Sequence, residues 1–271
     1  MAPRSALINV MTRAAQRAAR GLKRDFGEVE NLQVSKKGPA DFVSTADLMA
    51  ERTLREELGK ARPDYGFLME ESGATAGSGS EGRRWLVDPL DGTTNFLHGL
   101  PHFAISIGLE ERGELIAAVI YDPIKDEMFH AEKGSGAFLN DRRLRVSARS
   151  RLPEALVATG IPFKGRGDAD RFGQELARVM PEVAGVRRWG AASLDLAYVA
   201  AGRYDAFWER DLSPWDTAAG VLLVREAGGY VSALDQKAWQ LESDSILASN
   251  SSLQAPLSKL LSGRATAARP A

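Results

Sequence analysis

Apolar residues recur at helical spacing in the first stretch of the chain. Leu7, Val10, Met11, Ala14, Ala15, Ala18 and Leu22 share one face, and Arg13, Arg17, Arg20, Lys23 and Arg24 fall elsewhere. This predicts an amphipathic helix with a basic, wet face. Val34-Ser35-Lys36-Lys37-Gly38-Pro39 breaks the pattern. A second helical segment follows Asp41 to Asp47 and runs to about Lys60, with Thr45 or Asp47 as its cap. After a turn at Pro63-Asp64-Tyr65-Gly66, Phe67-Leu68-Met69 reads as a short apolar strand ending in Glu70 and Glu71. Gly73 to Arg84 is rich in Gly, Ser, Ala and Thr and reads as an exposed loop. Trp85-Leu86-Val87 then reads as the buried end of a strand that Asp88-Pro89-Leu90-Asp91-Gly92 stops, because Pro and Gly oppose both a continued ladder and a regular helix.

The period changes to two over His102 to Glu110, Leu115 to Tyr121 and Glu127 to Ala131, with turns at Arg112-Gly113 and Asp122-Pro123, which predicts an antiparallel meander. Gly134 to Asp141 adds a hairpin. Beyond Arg149 strands and helices alternate: Ala155 to Thr159 strand, Asp168 to Val179 helix, Val186 to Arg188 strand, Ala191 to Ala201 helix, Ala206 to Trp208 strand, and a helix from Asp216 to the Gly228-Gly229 pair. Such alternation predicts a mixed, partly parallel sheet covered by helices, an α+β or α/β protein. The expected organisation is an N-terminal half over residues 1–145, a C-terminal half over 146–262 and a disordered tail over 263–271.

Bulk properties narrow the function. A net charge of -1 over 271 residues gives no strong field for polyanions. The absence of cysteine excludes disulfides, thiolate metal sites and a Cys nucleophile. Only 3 His are present, and no run of about 18 apolar residues is long enough to span a bilayer. The basic N-terminus superficially reads as a transit peptide, but its helical apolar face reads as part of the mature fold. With no secretory segment, the expected location is cytoplasmic.

The candidate chemistry lies in acids at strand ends. Asp88 and Asp91, with the main-chain carbonyl of Leu90 between them, offer oxygen-only ligands of the kind a hard cation takes, although a D-x-x-D-G in isolation is better read as a solvated turn. Glu70 and Glu71 end a second strand. Asp216 sits where a helix begins, a place where Asp ordinarily acts as an N-cap. Gly77 to Gly82 satisfies G-x-G-x-x-G, but no strand enters it and no helix leaves it, so it is loop composition and not a dinucleotide site. His98 and His102 are separated by Gly99 and Pro101, so they cannot form a helical zinc pair.

Three signatures, Glu70-Glu71-Ser72, Asp88-Pro89-Leu90-Asp91-Gly92-Thr93 and Pro214-Trp215-Asp216-Thr217-Ala218-Ala219-Gly220, together resemble the inositol monophosphatase family, and the likeness extends over roughly residues 5 to 260. The resemblance implies a layered αβαβα sandwich of the sugar-phosphatase type. It implies hydrolysis of inositol monophosphate to inositol and phosphate, by in-line attack of a water activated by two or three Mg²⁺ ions. Carried over by position, it assigns metal ligation to Glu70, Asp88, the Leu90 carbonyl, Asp91 and Asp216, and catalysis to Glu70, Thr93 and Asp91. It places Asp91, Gly92, Thr93, Ala192 and Glu209 against substrate, and Lys36 and Asp47 behind the ligands or near a more weakly held metal.

It further implies lithium sensitivity and a homodimer. Histidinol phosphate, fructose 1,6-bisphosphate and 3′-phosphoadenosine nucleotides are alternative substrates. An accessory role with the transcription and RNA-processing machinery is a non-enzymatic alternative, with Arg142, Arg143 and Arg145, or Arg187 and Arg188, as its candidate face, although these arginines read better as solvated or interface residues. Met69 departs from the family's usual Gly, and Ala191 from its usual Ser or Thr.

Overall fold

The computed structural model describes residues 4–26, 34–38, 41–79, 82–163, 165 and 167–263, with backbone only at 34–38 and 41–43. Helix α1 (Ala6–Phe26) forms as its periodicity predicts, burying Ile8, Met11, Ala14, Ala15, Ala18 and Leu22. The segment that breaks the pattern is a hairpin of β1 (Val34–Gly38) and β2 (Asp41–Ser44). Helix α2 (Thr45–Ala61) is capped by Ser44 and not by Thr45 or Asp47. Asp47 stands at the third helical position and its carboxylate accepts from the Ser44 N–H at 2.8 Å, completing a reciprocal box. Ser44 wins because its extended backbone turns its hydroxyl onto the free N–H groups of Ala46 and Asp47.

An eight-stranded sheet rests on α1 and α2. β3 (Gly66–Met69) runs parallel to β5 (Arg83–Asp91), and β4 (Gly73–Thr75) pairs antiparallel with β3, so the first part of the expected loop is an edge strand. β5 does not stop at Asp88. Its pairing with β6 (Ala104–Glu111) shifts register between Asp88 and Asp91 and then resumes, since a bulge lets the ladder pass Pro89, which has no N–H to give. Helix α3 (Thr93–Leu97) follows at once, entered through Gly92 at φ 92°; a Cβ there would lie 3.0 Å from the His102 carbonyl. β7 (Glu114–Asp122), β8 (Glu127–Glu132), β9 (Gly136–Leu139) and β10 (Arg142–Arg143) complete the expected meander. Both faces are apolar: Trp85 and Val87 of β5 face α1 and α2, whereas Leu86 faces the opposite layer.

The second sheet has the order β12-β11-β13-β15-β14. β11 (Leu156–Thr159) is parallel to β12 (Gly185–Arg187) and to β13 (Ala206–Arg210), while β15 (Ser245–Ser249) runs antiparallel between β13 and β14 (Tyr230–Ser232). The mixed character is as the alternation predicts. α4 (Ala169–Val179) and α7 (Ser251–Leu261) pack together against its outer face. Between the two sheets lie α5 (Ala192–Ala200) and α6 (Pro214–Glu226), giving five layers, α/β/α/β/α. Every residue of α5 is buried, as a helix enclosed on all sides requires. The two central helices approach closely because Gly220 has no side chain; a Cβ there would stand 2.4 Å from the Leu196 Cβ. Asp216 is not the N-cap of α6. Ser213 holds that place, and the Asp216 carboxylate returns a bond to the Ser213 N–H at 2.8 Å.

Candidate active site

The ends of β3, β5 and β13 and the N-termini of α5 and α6 converge on one cavity of about 270 Å³. Its wall includes Glu70, Asp88, Leu90 and Asp91 from the first sheet, Gly92 and Thr93 from the entry to α3, and Ala192, Glu209 and Asp216 from the second half of the chain. Asp47 lies behind the wall. The Lys36 side chain lies outside the described residues, as do residues 264–271 of the expected tail.

Each acid is held by an identifiable contact. The Asp88 carboxylate is 2% exposed and accepts from the Leu90 N–H at 2.8 Å, which turns the peptide through the bulge. Asp91 reaches across the chain to the start of α5, where Oδ2 accepts from the Ser193 N–H at 2.7 Å and the Ser193 hydroxyl at 2.5 Å. The N-cap of α5 is Ala191, which has no side-chain acceptor, so a carboxylate from another segment satisfies that helix terminus. Thr93 donates from one hydroxyl shared between the Asp47 carboxylate at 3.1 Å and the Leu90 carbonyl at 3.0 Å. Asn95 donates to the carbonyls of His102 at 2.8 Å and Trp189 at 2.7 Å, fastening the approach to α5 onto α3. The Glu209 carboxyl occupies space left by Gly160, whose hypothetical Cβ would lie 1.9 Å from it. Met69, where the family usually has Gly, is fully buried in the outer core.

The electrostatics follow from this crowding. Burial, then the charges of Glu70, Asp91 and Asp216, push the Asp88 carboxyl well above the usual carboxylate range. Burial raises Asp91 to about 6 even though Ser193 bonds to its ionised form, and Glu70 adds to the rise. Asp47 is also raised, chiefly by burial, against the bonds from Ser44 and Thr93. His102 is pushed down to about 4 by burial and by Lys125, so it is neutral, as expected of a structural histidine. An oxygen-only set whose carboxylates raise one another suits a hard divalent cation, which would relieve the repulsion. Among the described residues no three His, Asp or Glu groups stand close enough together to hold an ion as they are placed.

Sequence reasoning missed Ser193, Asn95 and Asp195. Ser193 and Asn95 act through contacts 102 and 94 positions away, which no local pattern displays. Asp195 could have been flagged as a charged residue within the apolar run of α5.

Five layers with an oxygen-rich acidic cavity at the strand ends define a sandwich of the sugar-phosphatase type. The chain belongs to the inositol monophosphatase family, whose profile matches residues 4–266, and it is accordingly a phosphatase acting on phosphate monoesters. It is 58% identical over 258 residues to the inositol-1-monophosphatase of Rhizobium meliloti, spanning 95% of this chain and 97% of that one. It is 48% identical over 248 residues to the Nus factor SuhB of Pseudomonas aeruginosa, covering 90% and 91% of the two chains. Among solved structures, the extragenic suppressor protein suhB of Bartonella henselae superposes with a TM-score of 0.93 at 55% identity, over 96% of this chain and 100% of that one. Among the described residues no helix is long and apolar enough to cross a membrane.

Proposed function

We propose that the protein hydrolyses inositol monophosphate to inositol and phosphate in a Mg²⁺-dependent reaction at the cavity formed by Glu70, Asp88, Asp91 and Asp216. The observation that carries this reading is the set of four carboxylates from three separate segments, three of them, Glu70, Asp91 and Asp216, acting on the fourth, the buried Asp88. Glu70, Asp88, Asp91, Asp216 and the Leu90 carbonyl would hold the cations, two or three in number. Bound there, divalent cations supply Lewis acidity toward the phosphate and leaving oxygens and lower the pKa of water. General acid–base catalysis alone is worth only about 10²–10⁴-fold, too little for phosphate monoester hydrolysis.

The chain's own groups do the positioning. Thr93 donates its one proton inward, to Asp47 or to the Leu90 carbonyl, so its lone pairs remain available to accept from an attacking water beside Glu70. Gly92 and Thr93 present backbone N–H groups to the phosphate, while Ala192 and Glu209 face the leaving polyol. The relative of Rhizobium meliloti, named for inositol-1-phosphate hydrolysis, supports this substrate over histidinol phosphate, fructose 1,6-bisphosphate or a 3′-phosphoadenosine nucleotide. A panel measuring phosphate release from these esters, with and without Mg²⁺ and Li⁺, tests it. Selective, Mg²⁺-dependent and Li⁺-inhibited hydrolysis of inositol monophosphate is the expected result; hydrolysis of another ester in its place overturns the assignment. The melting temperature should rise on Mg²⁺ addition, since only the folded site binds the ion.

Ser193→Ala removes the side-chain bond among those that aim Asp91, so Mg²⁺ affinity or activity should fall about 10–100-fold, as for other partners of metal ligands. Titrating Mg²⁺ against activity in this variant checks it.

The reading includes a cytoplasmic homodimer, which sedimentation of the purified protein tests. A second reading, an accessory role in transcription, rests on the likeness to Nus factor SuhB. Arg142, Arg143, Arg145, Arg187 and Arg188 are exposed and would be its contact groups. Loss of all RNA binding at physiological salt would dispose of the RNA form of that idea.

A further inference from the structure

Asp195 is a buried acid that the proposed chemistry does not use. It belongs to α5, is 1% exposed, and lines the same cavity as Glu209 and Asp91. Its Oδ1 is buried with no hydrogen-bond partner. Leaving a buried oxygen without a partner is costly, so its place beside a substrate cavity calls for a ligand that would satisfy it. The groups that act on it are Glu209 and Asp91, both acidic, and Arg188, whose charge only partly offsets them. Tyr204 lies within reach of its charge. Burial and the two acids drive its carboxyl well above the usual range, and the unpartnered Oδ1 is open to a ligand hydroxyl.

We infer that Asp195 is a specificity-determining residue: together with Glu209 it reads hydroxyl groups on the leaving polyol. A polyol presents vicinal O–H groups that are donors and acceptors at once, the complement of two carboxyls on one wall. An ester without hydroxyls leaves Asp195 unsatisfied, and sites built around buried polar groups reject such analogues strongly. The inference rests on the phosphatase reading above and deepens it from a phosphate site to a pair of polyol-reading acids.

The experiment compares kcat/KM for inositol 1-phosphate with that for p-nitrophenyl phosphate, which has no hydroxyls, using the full-length enzyme with Mg²⁺. In Asp195→Ala the ratio of the two should fall at least about tenfold, through a raised KM for the inositol ester, with p-nitrophenyl phosphate turned over within about threefold of the parent. Asp195→Asn keeps a donor and an acceptor and should hold the ratio within about threefold of the parent. A merely structural role would lower both rates together and leave the ratio unchanged, which overturns the proposal. Should the alanine variant not fold, the same ratio is read in Asp195→Leu, which refills the volume without polar atoms; failure of both to fold overturns the proposal in favour of a structural acid. If the unaltered enzyme hydrolyses neither ester with Mg²⁺, it is the phosphatase reading that fails. An active enzyme with an unchanged ratio removes only the role of Asp195.

Discussion

Asp88→Asn is expected to lower Mg²⁺-dependent phosphate release by more than the 10–100-fold typical of a lost outer partner, while leaving the protein folded. Asp88 stands between Glu70, Asp91 and Asp216, so an amide there removes the one negative charge that all three acids face. The same substitution should stabilise the cation-free protein. Its carboxyl is raised above its value in the unfolded chain, so ionisation works against the fold. That penalty begins above the unfolded value of about 4, grows with pH and is complete once pH exceeds the folded value. In chelator at about pH 8 the variant should therefore melt above the parent, and the difference should vanish as pH falls toward about 4. Retained Mg²⁺-dependent turnover would remove Asp88 from the site.

Gly220→Val should produce the largest loss of stability. Its Cβ would be driven to 2.4 Å from the Leu196 Cβ, and backbone on both sides is fixed within helices. Overpacking of this kind costs about 1–3 kcal/mol or more, which for a chain of this size lowers the melting temperature by roughly 2–12 °C. Spreading α5 from α6 also moves Ser193 and Asp216 relative to one another, so activity should fall with stability. Leu196→Ala in the same chain should recover part of both, and a double-mutant cycle measures the coupling. A melting temperature unchanged by Gly220→Val would show that the helices do not meet as described.

What could be read from the sequence was what local periodicity encodes. The helix at the N-terminus, the meander from β6 to β8 and the alternation after Arg149 each carry their own pattern, and each forms within a few residues of its expected bounds. Elements defined by distant partners were not legible. β15 is five residues of Ser, Ile, Leu and Ala that become a strand by pairing between β13 and β14, and α7 continues through Pro256 against a propensity rule. β5 passing through Pro89 belongs with these, because its continuation depends on the pairing with β6. In the site, the acidic motifs were legible as motifs. Their neighbours were not: Ser193 matters only because Asp91 arrives from 102 positions away, and Ser44, not Thr45 or Asp47, takes the cap because of a backbone angle.

The bond from Asp91 to the first turn of α5 makes the N–H of Ser193 a natural reporter. One carboxylate serves both the helix terminus and the cavity, Oδ2 holding Ser193 while its other oxygen remains for the cavity, so a positive charge that fixes Asp91 also tightens its hold on that amide. Amide hydrogen exchange at Ser193 should then slow as the cavity fills and quicken as it empties. The helix would thereby register occupancy without a label, a dye or a turnover assay.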